Sequence, residues 1–306
     1  MLDAVGQAVV SGLSVGGIYA LIGLTFSITF KTTKTLNFAQ GEVISLGAFV
    51  GFSVLLLGTM MFGGEGASGS RIDWWLYAVA ALSSGIFVAL VGIVVFVFAV
   101  KPFAGKGGMN WVVSTIGFGI VLQSIGLAIW GPASISFPGF LDSASIRMGT
   151  VGVRPQELLV LGCSILLMLT LDYALYRTRI GNALMAVAYS PQVASLMGIN
   201  VVAVMSAAYA LSSALAAIGG VLIAPLVAPS LFMGFALALK GFSGAILGGL
   251  TSPRGCIFGG FLLGLLEAGV GLWDAQWREV AVFSVIIIVL ILRPAGLFGS
   301  VFHEKV

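Results

Sequence analysis

Residues 74–100 read WWLYAVAALSSGIFVALVGIVVFVFAV, without one charged side chain. A helix of about 20 apolar residues crosses a hydrocarbon core of about 30 Å. This run is long enough to do so, and it lacks the period-two alternation of a membrane strand. Working outward from it, comparable apolar runs occupy 5–30, 36–62, 109–131, 157–176, 200–225, 231–250, 255–273 and 279–292. The pattern predicts an all-α polytopic membrane protein with eight to nine transmembrane helices. The last run is short, and Glu42 sits early in the second. The stretch KTTKTLNFAQGE at 31–42 reads as irregular chain entering the membrane before a helix forms. Such backbone is tolerated only where it is buried in protein or lines a wet cavity.

Composition agrees. Of the 306 residues 59% are hydrophobic and 8% charged, whereas soluble domains carry about 25% charged residues. Apolar runs recur along the whole chain, so residues 1–306 are expected to form a single transmembrane domain. The 43 glycines fit membrane helices. A net charge of +3 argues against nucleic acid as a partner. Cys163 and Cys256 both lie in apolar runs and are expected to pack rather than pair. The N-terminus MLDAVGQ lacks the basic region of a cleavable signal, so the first run is expected to be retained.

Lys and Arg in short loops orient a polytopic protein. With nine spans, Lys31, Lys34, Lys101, Lys106, Arg177, Arg179, Arg254, Arg293 and Lys305 share one side, and Arg71, Arg147, Arg154 and Arg278 the other. The first side is therefore expected to be cytoplasmic, with the N-terminus outside and the C-terminus inside. The acids Asp3, Glu65, Asp73, Asp142, Glu157, Asp274 and Glu279 fall outside on this scheme. All six tryptophans lie at the edges of the expected spans, as interfacial rings prefer.

Two connections stand out. Residues 132–156, with Pro132, Pro138, Gly139 and Pro155, read as a turn-rich external loop. Residues 177–199 read as short amphipathic helical pieces, broken at Pro191, on the cytoplasmic side. They are long enough to dock on a soluble partner.

Glycines recur four apart at 12 and 16, 47 and 51, 244 and 248, 255 and 259, and 260 and 264. Such spacing lets helices approach closely. Glu42, Lys240 and Glu267 lie deep in spans, where each must face a partner or water. Pairing, for instance of Lys240 with Glu267 or Glu42, is the first expectation, and a translocation path or gate the second. Asp172 is expected to pair at the interface with Arg177 or Arg179. Tyr19, Asn37, Gln40 and Glu42 form the densest polar group near a span entry and are candidates for a path or gate. Catalytic signals are weak. There is no phosphate-binding G-x-x-x-x-G-K-[ST] motif and no G-x-S-x-G, and His303 is the sole histidine. No catalytic residue and no metal ligand set is expected.

Three stretches carry a resemblance. The first is Gly17-Ile18-Tyr19-Ala20-Leu21-Ile22-Gly23-Leu24 with Leu36-Asn37-Phe38-Ala39-Gln40-Gly41-Glu42. The second runs from Gly181-Asn182-Ala183 through Ala194-Ser195-Leu196-Met197-Gly198-Ile199-Asn200. The third runs from Leu239-Lys240-Gly241-Phe242 through Ile246-Leu247-Gly248-Gly249-Leu250 to Gly264-Leu265-Leu266-Glu267. Together they resemble the permease subunits of branched-chain amino-acid-type (hydrophobic amino-acid uptake) ABC importers. Gln40 departs from the family pattern, where His is common.

The resemblance implies a multi-subunit machine in the bacterial cytoplasmic (inner) membrane. This chain would pair with a second permease, a related chain or another copy. Two ABC ATPase subunits would bind ATP and Mg, and an extracytoplasmic solute-binding protein would deliver the solute. The expected fold is that of the vitamin B12-type importers rather than the maltose type. Arg177 and Arg179 would mark the membrane face of the ATPase-coupling loop, with Ala194, Leu196, Met197 and Gly198 at the contact. The rival expectation is an ion-coupled secondary transporter, with Glu42 and Glu267 as coupling carboxylates and no ATPase subunits.

Overall fold

The computed structural model describes residues 2–62, 74–103, 109–137, 146–148 and 151–299. Glu65, Arg71, Asp73, Lys106, Pro138, Gly139, Asp142, His303 and Lys305, named above, lie outside the described residues.

Helix α1 spans Leu2–Thr33, α2 Gln40–Phe62 and α3 Trp74–Val95, the last continued by a π-helical turn over Phe96–Val100. Helix α4 spans Asn110–Trp130 and α5 Pro155–Arg177; a two-stranded ribbon of β1 (Ile146–Met148) and β2 (Val151–Val153) precedes α5. Two short helices follow, α6 (Arg179–Tyr189) and α7 (Pro191–Leu196). The bundle is completed by α8 (Val201–Val227), α9 (Met233–Gly248), α10 (Pro253–Gly271) and α11 (Arg278–Leu292). Among the described residues eight helices are long and apolar enough to cross a membrane, and α9 is a shorter apolar helix. The chain is an all-α polytopic membrane protein, and the ribbon is the one strand pairing among the described residues.

Side-chain contacts fix the direction of each helix. Ser11 and Ser14 near the start of α1 donate to Glu157 at the start of α5, so these two run parallel. Ser212 of α8 donates to the Thr25 carbonyl, and Leu21 packs on Gly219, so α8 runs against α1. Tyr77 at the start of α3 donates to the Val221 carbonyl, so α3 runs against α8. The end of α9 meets the end of α1 through Ser27, which donates to the Leu250 carbonyl. Leu297 and Phe298 donate to the carbonyls of Leu247 and Gly248, which brings the end of α11 to the same place.

The bundle therefore has two distinct ends. One carries α6 and α7 together with Lys31, Lys34, Lys101, Arg177, Arg179, Arg254 and Arg293. The other carries the ribbon, Arg154, Glu157, Asp274, Arg278 and Glu279. With α9 included the described helices run between these ends nine times, within the eight to nine spans expected from the apolar runs.

Close approach is what the spaced glycines provide. A methyl group on Gly12 would lie 2.8 Å from the Ala268 Cβ, and one on Gly16 3.1 Å from the Phe261 Cα. Gly260 sits directly on the Ala20 backbone, and Gly248 on the Gly255 carbonyl. All five pairs are spent on helix contacts inside this chain, α1 on α10, α2 on α8 and α9 on α10.

Two connections enter the bundle interior. Residues 34–39 leave α1 at the basic end and return to the depth of Thr25, because Gln40 bonds there. The second span thus begins as a helix at Gln40 rather than at 36, and 36–39 is irregular. Residues 228–232 do the same from the other end. Gly220 packs on the Ile44 carbonyl, yet Gly234 is already back beside Gly41 and Ser45. Seven residues of α8 are thereby undone, a depth of about 10 Å at 1.5 Å per residue. The first turns of α2 and α9 consequently meet inside the bundle.

Candidate functional site

Lys240 lies on α9 and Glu267 on α10. Their side chains form an ion pair, Nζ to Oε1 at 2.6 Å, each 15% exposed. Tyr19 of α1 donates to the second carboxylate oxygen at 2.8 Å, and Lys240 lies 6.0 Å from the Tyr19 ring centre. Three helices thus converge on one carboxylate. Each charge would be expensive alone in hydrocarbon, and the pairing offsets that cost. The pair is not fully enclosed by the described residues. A groove opens at the ribbon end between α1, α10 and α11, and Glu267 lies in its lining with Gln7, Ser11, Gly12, Ala268 and Arg278.

The second polar group holds the re-entrant turn. Asn37 donates through Nδ2 to Gln40 Oε1 at 3.0 Å and accepts from the Ala39 N–H. Gln40 donates to Thr25 Oγ1 at 2.9 Å and to Ser212. Thr35 shares hydrogen bonds with Thr33 and with the Tyr209 hydroxyl. All of these side chains are buried. They satisfy backbone and side-chain polar groups of irregular chain inside the bundle, which the hydrocarbon environment demands.

The four candidates for a path or gate are therefore not one constellation. Tyr19 belongs to the Lys240–Glu267 group, because the depth at which α1 meets α9 and α10 is a tertiary fact. Asn37 and Gln40 are interior packing groups rather than an open lining. Glu42 stands apart from both, half-buried, with a carboxylate oxygen 3.1 Å from the place a methyl group would take on Gly119 of α4. Among the described residues no cation pairs with it.

At the basic end the α5–α6 corner is tight. A side chain on Gly181 would collide with the carbonyls of Ala174 and Leu175, so only glycine fits. Thr178 caps α6 by accepting from the Gly181 N–H, and Ser190 caps α7 by accepting from the Val193 N–H. Pro191 occupies the first turn of α7, where its missing donor is harmless. These local rules produce the two short helices that the sequence suggests. Their outer edge is apolar and bare: Tyr189 is 89% exposed, Leu196 87% and Met197 78%. Arg177, Arg179 and Gly198 are also exposed. Ala194 corrects the expected contact set, because it is buried beneath α7, its side chain turned onto the protein's own helices. Asp172 also departs from expectation. It forms a two-pronged pair with Arg254 of α10, at 3.0 and 3.1 Å, rather than with Arg177 or Arg179.

Sequence reasoning missed Thr25, Tyr209 and Ser212, whose hydroxyls interrupt apolar runs with no revealing spacing, and Thr35 within the irregular 31–42 stretch. It also missed Ser11 and Arg278, which border the groove.

The chain is similar to known proteins along nearly its whole length. Residues 8–292 match the family model described as the permease component of branched-chain amino acid transport systems. The chain is 30% identical to the high-affinity branched-chain amino acid transport system permease protein BraD of Pseudomonas aeruginosa, over 98% of this chain and 97% of that protein. It is 27% identical to the LivH permease protein of the corresponding Escherichia coli system, over 98% and 97%. A probable LivH of Methanocaldococcus jannaschii is 24% identical over 92% and 89%. The chain belongs to the family of branched-chain amino acid transport system permease components.

Proposed function

We propose that this chain forms half of the translocation path of an ATP-driven importer in the cytoplasmic membrane. The solute is a small zwitterion, a branched-chain or similar amino acid, delivered by a binding protein at the ribbon end. The partners are a second permease, related or identical, and two ATPase subunits. ATP and Mg are held by those subunits and not by this chain. The basic end faces the cytoplasm, with the N-terminus outside and the C-terminus inside.

One observation carries this reading: the bare apolar edge of α6 and α7 at the basic end. Leu196, Met197 and Tyr189 protrude from a corner fixed by caps and by Gly181. Apolar side chains exposed together in this way mark an interaction surface. A rigid pair of helices, docked in an ATPase, would transmit its closure to α5 and α8, which flank it. Family membership stands against the rival ion-coupled carrier, which gives this edge nothing to do.

The test is a pull-down of the tagged chain from gently solubilised native membranes. Two phosphate-binding-loop ATPases and a second permease are expected to come with it. Recovery of the chain alone, still moving solute in liposomes without ATP, would overturn the proposal.

A further inference from the structure

The Lys240–Glu267 pair is more than an internal clamp. We infer that the groove leading to Glu267 is a binding site for the zwitterionic backbone of an amino acid, and that the ion pair exchanges partners with it. This rests on the importer reading above and assigns the solute contact within it.

The geometry is specific. Glu267 lines the groove, and its two oxygens are held separately, one by Lys240 Nζ at 2.6 Å and one by Tyr19 at 2.8 Å. Lys240 reaches this carboxylate from α9, the helix that begins inside the bundle. At the rim Arg278 folds back onto Gly271, and Ser11 donates to Glu157. Charges of both signs therefore occur at the floor and at the rim. The groove lining is small where α1 touches α10, with Gly12 and Ala268 side by side in it.

The charge arithmetic favours one ligand class. An α-amino acid carries an ammonium and a carboxylate on adjacent groups. Its ammonium can take the place of Lys240 on Glu267, while its carboxylate takes Lys240. The site stays neutral, and every charge stays paired. An anion or a cation entering alone would leave one charge unpaired in a poorly solvated place. Tyr19 keeps Glu267 in position during the exchange, because its bond is to the other oxygen. The same exchange breaks the side-chain tie between α9 and α10 while their glycine contacts remain, so occupancy of the groove is linked to the ion pair that joins the re-entrant helix to α10.

The experiment uses the complete importer in proteoliposomes, with radiolabelled leucine and its loaded binding protein. The double variant Lys240→Met/Glu267→Gln removes both charges together, which buried pairs tolerate structurally. It is expected to assemble with the ATPases and to hydrolyse ATP on adding loaded binding protein. Its leucine uptake is expected to fall about tenfold or more. Wild-type uptake by the double variant would overturn the inference and leave the pair as a clamp. A second measurement does not depend on that variant folding. Ala8→Cys, in the groove lining, is made with Cys163 and Cys256 replaced by alanine, and treated with a membrane-impermeant thiosulfonate. Labelling is expected from the ribbon end, slowed by loaded binding protein. No labelling would mean that lipid or a partner helix fills the groove, and would overturn the inference. Absence of ATP-dependent uptake by the unaltered complex would instead count against the importer reading itself.

Discussion

Gln40 shows what a single side chain does in this bundle. Its amide joins Asn37, Thr25 and Ser212 across α1, the re-entrant turn and α8. Gln40→Leu would strand the Asn37 side-chain N–H without water to replace its acceptor, while the Thr25 and Ser212 hydroxyls keep their bonds to the Ile22 and Thr25 carbonyls. Each buried polar group left unsatisfied costs about 1–3 kcal/mol. A clear drop in the detergent melting temperature is expected, read by size-exclusion after heating. An unchanged melting temperature would mean the turn is held otherwise. Gly260 makes the complementary point. Its neighbour is the Ala20 backbone, which cannot yield as a side chain would. Gly260→Leu is expected to prevent α10 from seating on α1, beyond the roughly 1–3 kcal/mol of ordinary overpacking. The readout is loss of the monodisperse peak, whereas Gly162→Leu, at a glycine with open space around it, should leave that peak intact.

At the scale of elements, α6 and α7 behave as one wedge. Their caps and the Gly181 corner are local, but their exposed edge is meaningful only because Ala194 turns inward and Leu196 and Met197 outward. Leu196→Asp with Met197→Asp is expected to abolish co-purification of the ATPases while the permease still inserts and keeps its melting temperature. Full recovery of ATPases with the double aspartate would sink the docking role. Gly198 is a poorer probe. Its φ of +83° is left-handed backbone, so any side chain there strains the turn whether or not a partner docks. The second element pair of note is the meeting of the first turns of α2 and α9, with the Gly234 N–H donating to Ser45 at 3.0 Å. Two helix starts held inside a membrane bundle are the arrangement by which transporters build sites near the midplane.

For the whole molecule, the distribution of charge between the two ends is what the proposed orientation rests on. Lys31, Lys34, Lys101, Arg177, Arg179, Arg254 and Arg293 share the end that carries α6 and α7, with Asp172 as the acid beside Arg254. Short loops rich in Lys and Arg stay cytoplasmic. A green fluorescent protein fused to the C-terminus is therefore expected to fluoresce, and a periplasmic alkaline phosphatase fused there to be inactive. The opposite pair of results would invert the topology and place the wedge where no ATPase could reach it.

The nine crossings, the irregular 31–42 stretch, the break at Pro191 and the absence of familiar catalytic motifs were all legible in the residues. The structural ones follow from local rules: apolar run length, a missing backbone donor, or the capacity of Thr and Ser to cap. The Lys240–Glu267 pairing was also open to inference, since two opposite charges in hydrocarbon must find each other. Which side chains converge was not legible. Tyr19 reaches Glu267 across 248 positions of sequence and Gln40 reaches Ser212 across 172. Asp172 prefers Arg254 to its own neighbours because α10 brings a two-pronged guanidinium to it. The sequence by itself determined that this chain crosses a membrane, and how often to within one span, because hydrocarbon thickness and backbone satisfaction act on short segments. The tertiary structure alone decided which polar groups share a depth and a face, because that depends on how glycine-lined helices slide and cross once they touch.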